Sequence, residues 1–150
     1  MSADLTPDLL LDQPDLDRNH ALLLARLGRI AAALDGPRPE IEAAASAFAD
    51  ELMAHLAAEE ALMEETLYPE RGRHKSAHEL FVADFLQMRE ELREKGPTPV
   101  VEEWVRTRIP EWLRFHIRVN DAPLAAHVAR RRPQPGDVVR RKGDGNRHLS

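Results

Sequence analysis

Apolar residues recur at three- and four-residue intervals along most of this chain, and nowhere do they alternate with period two. That spacing predicts amphipathic helices and no sheet. His20, Leu23, Leu24, Leu27, Ile30 and Leu34 form the first stripe, on a helix from about Asp17 to Leu34 that "DGP" stops at 35–37. A second stripe holds Ile41, Ala45, Phe48, Leu52, His55, Leu56, Glu59 and Met63. It predicts a helix from about Pro39, a residue suited to a first helical position, to about Leu67, where "YPERG" ends it. The third runs from about Arg73 to Lys95 through His74, His78, Phe81, Phe85 and Met88, and "GPTP" closes it. The fourth runs from about Val100 to Val119 through Trp104, Ile109, Trp112, Leu113 and His116. Pro110 lies inside it, and its missing donor predicts a kink or a division in two. A short fifth helix is expected after Pro123. Short links make successive helices antiparallel, so the predicted fold is all-α: an up-down-up-down four-helix bundle with a short C-terminal helix and a tail.

Composition narrows this picture. A chain of 150 residues suits one domain with an apolar core. The absence of cysteine excludes disulfides, Cys-ligated zinc or iron–sulfur clusters and thiol catalysis, so any metal must be held by nitrogen and oxygen. The start, "MSADLTPDLLLDQPD", lacks the basic and apolar regions of a secretory signal. No apolar run approaches the roughly 20 residues of a membrane span, and a cytoplasmic protein is the expectation.

The net charge of −5 is unevenly spread. Residues 130–150 hold six Arg and one Lys against Asp137 and Asp144, a net of +5, which leaves about −10 on residues 1–129. The expected division is therefore a bundle over 1–129 and a basic, solvated, disordered tail over 130–150. The tail is a candidate docking segment for a partner protein. An acidic body without a basic face argues against nucleic-acid binding.

The stripes also carry chemistry. His55 and Glu59 are four residues apart, as are His74 and His78, so each pair shares one helix face. The "YPERG" reversal brings the two pairs close, while His20 and His116 lie on the inward stripes of the other helices. Singly, each feature has an ordinary reading: a satisfied core histidine, or a solvated surface pair. Together they would bury several uncompensated imidazoles in one small core, at a cost that a metal accepting their lone pairs removes. Asp121 is ambiguous. Five residues after His116 it lies ~140° away on a regular helix, where it would cap the next helix. A bulge ahead of Pro123 would instead swing it back beneath His116.

The ordered set His20, His55–Glu59, His74–His78 and His116–Asp121 resembles the hemerythrin and bacteriohemerythrin family, whose pattern is an early His, then HxxxE, HxxxH and HxxxxD. The surrounding words "LDRNHALLLARL", "HKSAHELF" and "WLRFHI" are similar too, and the resemblance covers roughly residues 14–125. It implies a bundle around two non-haem irons. His74, His78 and His116 would bind one iron, His20 and His55 the other. Glu59 and Asp121 would bridge them together with an oxo or hydroxo group, and dioxygen would bind at an open position on the two-histidine iron. By position, Leu23, Leu56, Trp112, Leu113 and Ile117 are the expected walls.

There are departures. The family's N-terminal tryptophan is missing, Leu56 replaces a more usual aromatic, and Asn19 stands where many bacterial members have Gln. His127 and His148 fall outside the pattern and are expected on the solvent side. The function implied is reversible dioxygen binding for transport, storage or delivery. Oxygen or redox sensing, and diiron peroxidase or ferroxidase chemistry, are the competing readings.

Overall fold

The computed structural model describes residues 5–131. A single 3-10 turn at Pro7–Leu9 precedes helices α1 (Pro14–Ala33), α2 (Arg38–Glu65) and α3 (Arg71–Lys95). The last arm, from Pro99 to Arg131, comprises α4 (Pro99–Glu103), a π turn (Trp104–Arg108), α5 (Ile109–His116), a second π turn (Ile117–Asp121) and α6 (Ala122–Arg131). Prolines stand in the first turn of α1, α2 and α4, where no intrahelical donor is lost. Thr98 caps α4 by accepting from the Val101 amide, and Gly96 ends α3 at φ +82°. The α2–α3 reversal turns through Leu67 at φ +54°.

α1 packs on α2, α2 on α3 and α3 on α4, and the Trp104–Arg108 turn returns to α1 to close the predicted bundle. Ahead of Pro110 and of Pro123 the expected disturbance takes the form of a π turn rather than a break. Pro110 does not divide the fourth helix, nor does the chain leave helical geometry between Val119 and Pro123. Both prolines directly follow a widened turn: Ile109 N–H reaches back to the Trp104 carbonyl, and Ala122 N–H to that of Ile117. A five-residue reach gives room for the next proline, whose ring would otherwise press on the carbonyl four residues before it. The expected fifth helix is thus α6, continuous with the fourth.

The core lies in two pieces. The larger one gathers Leu23, Leu27, Ile30, Phe48, Leu52, Phe81, Phe85, Met88, Val105 and Leu113 along most of the bundle's length. The smaller, Met63, Tyr68, Leu124 and Val128, sits beneath the α2–α3 reversal. Among the described residues no helix is long and apolar enough to cross a membrane. Arg130 and Arg131 belong to α6, while the remainder of the basic tail, 132–150, lies outside the described residues, His148 included.

Candidate metal centre

A polar layer separates the two apolar clusters. His20 comes from α1, His55 and Glu59 from α2, His74 and His78 from α3, His116 from α5 and Asp121 from the second π turn, all of them buried. The sequence therefore supplies five imidazoles and two carboxylates at one level, each on the inward stripe of its helix. Asp121 is the exception, because a regular helix would aim it elsewhere. The Ile117–Asp121 π turn brings its carboxylate under His116, with Oδ1 3.2 Å from Nε2.

The contacts divide by carboxylate oxygen. Glu59 Oε1 lies 3.1 Å from Nε2 of both His74 and His78, and 3.8 Å from that of His116. Asp121 Oδ1 faces the same group, 3.1 Å from His74 Nε2. On the other side, Glu59 Oε2 lies 2.8 Å from His55 Nε2 and 3.6 Å from His20 Nε2, while Asp121 Oδ2 lies 2.8 Å from His20 Nε2. Two donor groups result: Glu59, Asp121, His74, His78 and His116, and Glu59, Asp121, His20 and His55, each with its ligand atoms within 4.8 Å of one another. The two carboxylates belong to both.

These donors are poorly satisfied by one another. Glu59 Oε2 and Asp121 Oδ1 approach ring nitrogens closely yet form no aligned hydrogen bond. His78 Nε2 and His116 Nε2 face each other at 3.2 Å, where two lone pairs cannot satisfy one another. Buried lone pairs converging without donors are what a cation satisfies. The residues fit two ions held by nitrogen and oxygen.

Without a metal the electrostatics favour protons. Burial disfavours the charged form of His20, but the Asp121 and Glu59 carboxylates outweigh it and push the ring up to about 9. The same balance, with Asp121 the stronger partner, takes His116 to about 10. Burial and the neighbouring Glu59 press Asp121 upward, yet His116 and His20 hold it down at about 2. Burial likewise opposes ionisation of Glu59, and the His116, His20, His55 and His74 rings keep it well below its usual range. A cation entering either group displaces protons from the imidazoles.

Leu23, Leu56, Leu113 and Ile117 are buried in the larger apolar cluster that abuts the layer. Trp112 is half-buried and lies flat on His116, with ring centroids 4.5 Å apart and planes at 10°, and its other face stacks on Phe81 at 3.7 Å. It therefore stands against the three-histidine group.

Three residues have roles that sequence reasoning missed. Glu60, which reads as a solvent-facing neighbour of Glu59, is half-buried with Oε2 3.0 Å from His78 Nδ1. Asn120 Oδ1 accepts from His116 Nδ1 at 3.1 Å. The third, His127, is a correction: it is buried rather than on the solvent side, donating from Nε2 to the Thr66 carbonyl at 2.7 Å and packing on Tyr68. Leu124, His127 and Val128 share a helical spacing that could have revealed it.

Comparison with known proteins agrees with this geometry. The family model described as the hemerythrin HHE cation binding domain matches residues 13–128. A bacteriohemerythrin from Stenotrophomonas maltophilia (strain R551-3) is 31% identical over 122 residues, which cover 81% of this chain and 78% of that relative.

Proposed function

The chain belongs to the hemerythrin family, and from that premise we propose that it binds dioxygen reversibly at a non-haem diiron centre, for transport, storage or local delivery. The observation that carries this reading is the shared bridge: Glu59 turns Oε1 to His74, His78 and His116 and Oε2 to His55 and His20, while Asp121 turns Oδ1 to His74 and His116 and Oδ2 to His20. When bound there, a ferrous pair supplies two electrons and an open position for a diatomic ligand.

The chain's own residues then determine how that chemistry is contained. His74, His78 and His116, with the two bridges, give one ion five donors, whereas His20 and His55 give the other only four. The imbalance leaves room for an exogenous ligand on the two-histidine side. Leu23, Leu56, Leu113 and Ile117 are 4% exposed or less and carry no donor or acceptor, so they keep water away from the layer without offering a proton. A dry wall of this kind favours release of an intact ligand over its conversion. That apolar lining supports the carrier reading over peroxidase chemistry, which needs a placed proton donor.

Oxygen uptake tests the proposal. Protein loaded anaerobically with ferrous iron should bind close to two irons per chain and take up one dioxygen per pair, measured with an oxygen electrode. Saturation at one iron per chain, or uptake unrelated to the number of iron pairs, contradicts it.

A further inference from the structure

The bridging residues do not come alone. Glu59 is followed by Glu60, and Asp121 is preceded by Asn120, so each carboxylate that enters the centre has a polar chain neighbour on its rim. Both neighbours grip the outer edge of a histidine in the same group. His78 Nδ1–H donates to Glu60 Oε2 at 3.0 Å, and His116 Nδ1–H donates to Asn120 Oδ1 at 3.1 Å. Each bond puts the ring proton on Nδ1 and aims the Nε2 lone pair inward.

The other group has no such support. The Nδ1 atoms of His20 and His55 have no hydrogen-bond partner among the described residues. His74 Nδ1 also lacks one, but its ring is wedged edge-on against His78 at 4.6 Å, His116 at 4.9 Å and Tyr68 at 6.4 Å. The two halves of the centre therefore differ in preorganisation as well as in donor number.

We propose that Glu60 and Asn120 are positioning residues that set the order in which two cations bind, so that the three-histidine group fills first and more tightly and the two-histidine group holds the exchangeable ion. This rests on the two-cation reading above. A ring already fixed in tautomer and direction has little left to lose when it coordinates. The Glu60 carboxylate also makes His78 the stronger electron-pair donor. The rings of His20 and His55 must select tautomer and orientation as the ion arrives.

Zinc, which has no redox chemistry, isolates this question from oxygen binding. Zn²⁺ titrated into the metal-free full chain at fixed pH, against a chromophoric chelator, should show two unequal steps. Glu60→Ala is expected to weaken the tighter step ~10–100-fold and leave the weaker one in place. Glu60→Gln, which retains an uncharged acceptor and the side-chain volume, should fall between Glu60→Ala and wild type. Asn120→Ala should affect the same step, and His20→Ala should abolish the weaker step alone. Wild-type affinities in Glu60→Ala and Glu60→Gln, equal weakening of both steps, or an effect on the weaker step only would overturn the inference. A wild-type chain that binds no zinc would overturn the metal-centre reading with it, whereas two zinc steps indifferent to Glu60 would overturn the inference alone.

Discussion

Glu59→Gln removes one bridging oxygen from the middle of the centre while keeping the side chain's shape. In the wild type Oε1 lies 3.1 Å from both His74 and His78 Nε2, and Oε2 lies 2.8 Å from His55 Nε2. An amide offers one oxygen and one NH2, and the NH2 has no lone pair to give a cation. One histidine group loses its share of the bridge whichever way the amide turns. The variant should therefore retain about one iron per chain where the wild type retains two. Glu59→Ala goes further and leaves the buried imidazoles facing Asp121 alone. Removing one partner of a buried ion pair costs about 3–5 kcal/mol. At ~4 °C per kcal/mol for a domain of this size, the metal-free chain should lose ~12–20 °C in Tm. Iron content after anaerobic loading and desalting, with calorimetry of the metal-free proteins, checks both numbers. Two firmly held irons in Glu59→Gln would refute the bridging role, and an unchanged Tm in Glu59→Ala would refute the pairing.

Three further outcomes are expected. His20 and His116 are raised to about 9 and about 10, so the stability they lend the metal-free chain is complete below about 6.5. It should fade as pH climbs from about 6.5 through 9–10, at up to about 1.4 kcal/mol per pH unit for each proton released. Denaturant titrations across that range test the slope, and a metal-free stability that rises over the same window would contradict the sign. Leu113→Thr or Ile117→Thr places a hydroxyl in the dry wall, and each should speed one-way oxidation of the ferrous protein several-fold, followed by visible absorption, with Ile117→Val close to wild type. Truncation after Arg131 should preserve helix content by circular dichroism as well as iron and oxygen stoichiometry, since the matched domain ends at residue 128.

Much of the bundle was legible because burial repeats with the helix period. Leu23, Leu27 and Ile30 on α1, and Phe81, Phe85 and Met88 on α3, advertise the same inward faces that bring His20 and His78 to the polar layer. Periodicity failed where the helix itself changes pitch. The π turns at Trp104–Arg108 and Ile117–Asp121 are local adjustments to Pro110 and Pro123, and a reading at constant pitch sees only a kink or a break. For that reason Asp121 was recoverable only through a family pattern with five-residue spacing. Glu60 and Asn120 were illegible for another reason: a polar residue beside a buried one is ordinary on any amphipathic helix, and only tertiary packing turns its side chain onto a ligand ring. Tertiary packing is also what buries His127, through a carbonyl freed at the end of α2.

Reversibility is the most direct test of the account. Diferrous protein exposed to dioxygen should develop a visible charge-transfer absorption that disappears when oxygen is purged with inert gas and returns on re-exposure, over repeated cycles with little loss. One-way bleaching to a diferric product in the first cycle, with no recovery on purging, would contradict reversible dioxygen binding by this chain.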